Sequence, residues 1–205
     1  MLDLGIVILN WNTRDLLREC LKTVFASEGV ALRVVVVDNA SADGSAAMVR
    51  DEFPRAELIE NDANIGYPAG NNVGLRHLGY RGMGDVDMDA PRYALLLNPD
   101  TEVPHDGFRD MAAFMDANPQ IGAAGPKLVL PDGSLDKACR RGFPTPTVAL
   151  YHFAGLSKQF PNSPRFARYN MTYLDPDQEA EVDSVVGAYM QIRREAVEAT
   201  GLLDE

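Results

Sequence analysis

Three short runs of uninterrupted apolar residues constrain this chain more than anything else in it. Leu4 to Leu9, Val34 to Val37 and Tyr93 to Leu97 show none of the polar alternation of a half-exposed strand. That is the pattern of strands covered on both faces. Each run stops at a polar residue: Asn10, Asp38 and Asn98. A helix is expected after the first, because Leu16, Leu17, Cys20, Leu21, Val24 and Phe25 share one stripe. Shorter helices are expected up to about Phe53, after the Gly/Asn-rich loop Asn64 to Asn72, and from about His105 to Asn118. Another strand is expected over Glu57 to Asn61. Strands alternating with helices predict an α/β fold with a mostly parallel central sheet and helices on both faces.

Ligands of such sheets bind beyond the carboxyl ends of the strands. Asn10 to Asn12, Asp38 to Ser45 and Asn98 to Asp100 therefore mark the candidate site. Asp38 ends a buried strand, where a carboxylate must find donors or face a ligand. Asp43 can cap the helix after it, as Asn12 or Thr13 can cap the first helix. Asp100 follows a proline that stops the ladder, which aims it at the crevice. One or two carboxylates plus substrate phosphates are the usual holders of Mg²⁺ or Mn²⁺. Asp85, Asp87 and Asp89 also alternate, but an EF-hand fails on Ala90 at its sixth position and Leu96 at its twelfth. That stretch precedes its strand and reads as a solvated loop away from the site.

Several classes drop out. Lys and Arg total 19 against 30 Asp and Glu, a formal charge of -11. That charge repels nucleic acid and anionic lipid heads unless a local basic patch overrides it. No such patch stands out, the densest basic spot being Arg140-Arg141 with Lys137 close by. No Gly-x-Gly-x-x-Gly follows the first strand, and Gly66, Gly70 and Gly74 lead into no Gly-Lys-Ser/Thr, so neither a dinucleotide fingerprint nor a P-loop is present. His77, His105 and His152, like Cys20 and Cys139, fit no metal spacing. No stretch approaches the roughly 20 apolar residues of a membrane helix. The Leu4 to Leu9 run is too short for a signal peptide, so a soluble, cytoplasmic chain is expected.

Past Asn118 the pattern loosens. Leu128 to Leu135 reads as a hairpin with an Asp-Gly turn, a small antiparallel element. Residues 139–180, rich in Pro, Arg and aromatics, read as an ordered excursion or a mobile loop. Val182 to Ile192 reads as a strand, and Arg193 to Thr200 as a helix ended by Gly201. A length of 205 residues fits one domain.

Taken in order, Asn10-Trp11-Asn12, Val37 to Ser45, Asn64 to Asn72, Leu97-Asn98-Pro99-Asp100, Val186 to Met190 and Arg193-Arg194 resemble the family 2 glycosyltransferases, in particular their rhamnosyltransferase subgroup. The resemblance implies a single GT-A type domain, with a nucleotide-sugar-binding half over 1–118 and an acceptor-side half over 119–205. It implies that Asn10 and Asn12 edge a nucleobase pocket whose N3–H is accepted by Asp38. Asn64, Gly66 and Asn72 would line the nucleotide and sugar side, together with Asn98. Asp100 would match the last Asp of the family's Asp-x-Asp and hold Mg²⁺ or Mn²⁺ on the diphosphate, with Asn98 in place of the first Asp. Gly187 and Ala188 would shape the acceptor side.

The implied reaction is inverting, metal-assisted transfer of a sugar such as rhamnose from a nucleoside-diphosphate sugar to a saccharide or lipid-linked acceptor. The implied location is cytoplasmic, at most peripheral at the inner membrane face. The family's base follows a Gly-x-x-Asp-Glu segment, matched here by Gly201 to Glu205, so it is expected beyond Glu205 and residues 1–205 alone are expected to be inactive. Asp183 is the weaker candidate within them. The alternatives are a non-catalytic nucleotide-sugar-binding domain and a sugar-nucleotide pyrophosphorylase. The pyrophosphorylases put a Gly-rich, Arg-containing loop where this chain has Asn10 to Thr13.

Overall fold

A computed structural model describes residues 3–205. It forms two compact units, one running to Ala124 and resuming over Gly187–Glu205, the other Gly125–Val186. In chain order the first unit carries β1 (Leu4–Asn10), α1 (Arg14–Ala26), β2 (Leu32–Asp38), α2 (Ser45–Glu52), β3 (Glu57–Glu60), α3 (Tyr67–His77), β4 (Tyr80–Gly82), β5 (Asp85–Val86), β6 (Tyr93–Leu97), α4 (Gly107–Ala117) and β7 (Ala123–Ala124). The second unit holds β8 (Arg140–Arg141), α5 (Pro146–Phe153), α6 (Leu156–Gln159) and β9 (Ser184–Val185). The chain then rejoins the first unit as β10 (Tyr189–Arg193) and α7 (Arg194–Thr200).

One sheet of order β3-β2-β1-β6-β10-β7 organises the first unit. Strands β3, β2, β1 and β6 are parallel, and β10 lies antiparallel to both β6 and β7. The apolar runs occupy its centre. Every residue of β6 is buried, as are Val34 to Val37 of β2. At about 1.5–3 kcal/mol for each fully buried Val, Leu or Ile side chain, these strands supply much of the drive to fold.

Of the stripe foreseen on α1, Leu17, Cys20, Leu21 and Val24 are fully buried, whereas Leu16 is half exposed. Helix α3 lies unusually close to the sheet. A methyl group added at Gly70 would collide with Leu9, and one at Gly74 with Val7. The four-residue glycine spacing is therefore a packing device, which lets a helix backbone approach β1.

Several expectations change. The strand expected over Val182 to Ile192 is broken at residues 186–188, so that β9 pairs with β8 while β10 pairs with β6. Gly187 sits in the break, where any side chain would run into the Tyr67 hydroxyl. The acidic stretch is not a plain loop: β4 and β5 form a short antiparallel ribbon, with Arg81 ion-paired to Asp87. Residues 139–180 are ordered into α5, α6 and successive turns. The hairpin over Leu128 to Leu135 is present as a single bridge, Val129 to Leu135, with Gly133 at φ 82.

Candidate functional site

The loops after β1 and β2 are stitched together. Asn10 is fully buried, and its amide donates to Asp38 Oδ1 at 2.8 Å and to Ser41 Oγ at 3.1 Å. Its own Oδ1 accepts the Thr13 hydroxyl at 2.6 Å. The second Asp38 oxygen accepts the Ser41 N–H at 2.8 Å. Burying a carboxylate is costly unless donors meet it, and here each oxygen has one while keeping a lone pair for another. Asn12 takes the left-handed conformation, φ 54, which suits Asn better than most side chains. That turn lets its Oδ1 accept the Ala42 N–H at 2.8 Å while its own N–H reaches Ser41 Oγ at 2.9 Å.

Helix capping departs from the sequence reading. Neither Asn12 nor Thr13 caps α1 with its side chain. Asp43 does so from the neighbouring loop, accepting the Arg14 N–H at 2.8 Å, and also accepts the Ser45 N–H and hydroxyl at the start of α2. Partial burial pushes the Asp43 carboxyl upward, but these donors together outweigh it and hold the group below the usual range.

The opposite wall comes from the loop before α3. Asn39, buried beneath it, donates to Asn64 Oδ1 at 3.2 Å and to the Gly66 carbonyl at 3.3 Å, and accepts from Asn61 at 2.8 Å. Gly66, at φ 87, turns the chain into α3, whose first residue, Tyr67, donates its hydroxyl to the Gly187 carbonyl at 3.3 Å. The third wall follows β6. The Asn98 N–H and the Thr101 hydroxyl both donate to the Ala188 carbonyl, at 3.1 and 3.2 Å. Beyond them Asp100 stands exposed, its carboxylate without a hydrogen-bond or ion-pair partner among the described residues. It is felt nonetheless. Burial drives the Cys20 thiol up to about 12, and the charges of Asp100 and Glu102 add to the rise.

These walls enclose a cleft of about 350 Å³, within the range of small-molecule sites. Of the expected residues, Asn64, Gly66, Asn98 and Asp100 line it. Asn10 and Asp38 lie buried behind the strand ends and set the shape of the loops. Asn12 borders a neighbouring depression with Asp43. Asn72 is placed differently from expectation: its amide is buried against the 203–205 segment, donating to the Leu203 carbonyl and Glu205, and accepting the Leu203 N–H. Gly187 and Ala188 enter through their carbonyls. Asp183, in the second unit, accepts the Phe143 N–H at 3.1 Å and pairs with Arg168, which together hold its carboxyl below the usual range. An ion-paired, acidified carboxylate is a weak proton acceptor.

Trp11 and Asn39 fall within the marked segments Asn10 to Asn12 and Asp38 to Ser45, and Tyr67 within Asn64 to Asn72, but the sequence assigns none of the three a role. Trp11 and Tyr67 flank the cleft at 55% and 42% exposure, and Asn39 braces its floor. A large aromatic between two turn-forming asparagines was the available signal for Trp11; Asn39 gave none apart from its neighbours. Asp85, Asp87 and Asp89 are not among the lining residues.

A single carboxylate fits a divalent cation only if phosphates and water complete the shell. Among the described residues no three acidic, His or Cys side chains gather tightly enough to do so alone. Asp100 meets the minimal requirement, being uncommitted and at the mouth of the cleft.

An N-acetylglucosaminyl-diphospho-decaprenol L-rhamnosyltransferase of Mycobacterium tuberculosis is 29% identical over 175 residues, 84% of this chain and 55% of the relative. The chain thus spans about half the length of the curated relatives it matches first. Among solved structures, the mannosyltransferase PcManGT from Pyrobaculum calidifontis, in complex with GDP-Man and Mn²⁺, superposes with a TM-score of 0.52 at 23% identity, over 63% of this chain and 36% of that one. S. aureus TarS 1–349 in complex with UDP-GlcNAc does so at 0.54 and 16% identity, over 83% and 53%. These likenesses carry the fold, a GT-A type α/β architecture. The profile of "Glycosyl transferase family 2" matches residues 5–200, and the chain belongs to that family.

Proposed function

We propose that this chain provides the donor side of a glycosyltransferase that moves a sugar, rhamnose as first choice, from a nucleoside diphosphate to a saccharide or lipid-linked acceptor with inversion. The observation that carries the reading is the convergence of four strand-end loops, after β1, β2, β3 and β6, on one cleft in which Asp100 alone keeps an uncommitted carboxylate. The rhamnosyltransferase relative supports the sugar, and the bound GDP-Man and UDP-GlcNAc of the structural neighbours support a nucleotide-linked donor.

In this reading Trp11 offers its face to the nucleobase, a common use of an exposed aromatic. Asp38, buried behind the strand end and held by Asn10 and Ser41, fixes the loop that carries the base pocket. Its remaining lone pair is the proposed acceptor for a base N–H only where that pocket reaches the strand end. Asn64, Gly66 and Tyr67 bound the ribose and sugar, and Asn98 and Asp100 the diphosphate. A divalent cation on Asp100 would offset charge on the departing nucleoside diphosphate. Deprotonation of the acceptor hydroxyl requires a base, and Asp183 is a poor choice because Phe143 and Arg168 hold its charge. The protein acts in the cytoplasm, peripheral to a membrane.

Titration calorimetry with UDP, GDP and TDP, each with and without Mn²⁺, tests the reading. At least one nucleotide is expected to bind in a Mn²⁺-dependent manner, and Trp11→Ala to weaken it about tenfold, an amount within reach of one base–aromatic stack. No binding by any of the three, or binding indifferent to both metal and Trp11, would overturn it.

A further inference from the structure

The second unit carries a feature that the donor cleft does not use. From Lys137 to Leu174 the chain contains no Asp or Glu, although the whole sequence has 30. The same stretch holds Lys137, Arg140, Arg141, Lys158, Arg165 and Arg168. Of these six cations only Arg168 has a carboxylate partner among the described residues. Arg165 and Arg141 lie instead over the rings of Phe166 and Tyr169.

Apolar side chains in this stretch face outward. Phe153 is 83% exposed, Leu150 63% and Phe143 61%. Leu150 and Phe153 belong to α5, where Pro146, Leu150 and Phe153 recur at i, i+4 and i+7, all exposed, with exposed Ala154 at the cap. Helix α5 buries Val148 alone and turns its apolar stripe to solvent, the reverse of an ordinary surface helix. The stripe is firmly mounted. Tyr151 packs edge-on against Phe166 at 5.0 Å, His152 stacks on Tyr169 at 4.2 Å, and Phe160 meets Phe166 at 5.4 Å. Arg165 reaches the Tyr151 hydroxyl, which sets a cation beside the apolar stripe.

We propose that this face, formed by α5, α6 and the segment from Phe160 to Tyr169, docks onto an anionic lipid bilayer. The local charge selects the occupant. A chain of net charge -11 is repelled by an anionic surface as a whole. This face, however, carries Lys158 and Arg165 without a carboxylate partner among the described residues, beside outward aromatics and with no acidic residue in its sequence. An interfacial helix buries its apolar side at the boundary of headgroups and acyl chains, while neighbouring Lys and Arg meet anionic headgroups. No helix among the described residues is long and apolar enough to cross a membrane, so attachment here is lateral. The inference gives the peripheral placement proposed above a surface. It stands apart from the donor-site reading, because vesicle binding and nucleotide binding are separate measurements.

The test is co-sedimentation of the chain with phosphatidylcholine vesicles, with and without phosphatidylglycerol. Binding is expected only when phosphatidylglycerol is present, weakening as salt shortens the screening length. Leu150→Ser with Phe153→Ser is expected to lower the bound fraction about tenfold or more, given the apolar area withdrawn. Lys158→Glu, at an exposed and unpaired position, is expected to lower it severalfold, and keeps the test open if the serine variant fails to fold. Parent-like melting and nucleotide affinity in either variant would tie the loss to the docking face. Equal binding to both vesicle types, binding to neither, or an unchanged bound fraction in the variants would overturn the proposal. So would a dimer in sedimentation that dissociates on Phe153→Ser, which would assign the face to a second copy.

Discussion

The two sides of the cleft are built on opposite principles. Behind β1 and β2, nearly every polar atom is committed: Asn10, Asn12, Asp38, Ser41 and Asp43 bond to one another and to the backbone across two loops. After β6 the backbone is anchored by the Ala188 carbonyl, but the Asp100 side chain is left with nothing to hold. The first arrangement is stiff because satisfied networks resist rearrangement. The second keeps a charge available. A site that must both shape itself and capture an ion can divide these tasks between loops, and the division makes the two carboxylates separable by mutation.

The sharpest way to break this contrast is Asp38→Ala. Removing the carboxylate strands the Asn10 amide and the Ser41 N–H, and the expected loss of stability is about 2–4 kcal/mol, read from urea unfolding. Little or no loss would mean that the network is ornamental. Asp100→Ala should do the converse. Its stability should stay within about 0.5 kcal/mol of the parent. Its Mn²⁺-dependent nucleotide affinity should fall tenfold or more, equivalent to about 1.4 kcal/mol; undiminished affinity would move the metal elsewhere.

Away from both loops, Glu57 gives a pH-dependent control. Hydrogen bonds from Arg33, with His77 adding to them, bring its carboxyl down from 4.5 to about 2. A depressed carboxylate stabilises the fold above its unfolded value, and that contribution disappears as pH falls from about 4.5 to about 2. The parent should therefore exceed Glu57→Gln by about 1 kcal/mol or less at neutral pH, solvent screening being strong at this exposure. The gap should close in acid, and a constant difference down to low pH would refute the pairing. The smallest effect is expected from Asp87→Asn with Asp89→Asn, which should leave nucleotide affinity within about twofold, since neither residue lines the cleft. A clear loss there would name a different acidic pair as the metal holder.

What could be read from the residues, and what could not, follows the range of the forces involved. The central strands were legible because burial on both faces writes itself into consecutive residues, as in Val34 to Val37. So was the position of Asp100, since a strand end and a proline are local facts. Asp43 capping a helix that begins at Arg14 is not local, and no spacing rule connects the two positions. Asn72 illustrates the same limit. It sits within a loop-and-helix segment that looks like binding machinery, yet its amide is spent on residues 203–205. Short pieces such as β5 and β7, two residues each, have too few side chains for any period to show. The break at Gly187 became visible only once Tyr67 had been placed against it.

The position of β10 has a further consequence, for synthesis. Strand β6 is complete at Leu97, with β1 on one side, but its other neighbour in the sheet begins at Tyr189. A growing chain therefore holds Tyr93 to Leu97 with one edge of unpaired N–H and C=O groups until synthesis has passed Tyr189. Open apolar edges are templates for pairing with other chains, and contacts so distant in sequence form slowly. The strand that completes the sheet beside the cleft is thus also the one that ends a long exposure of an apolar edge, and nascent chains should depend on chaperones chiefly over that interval.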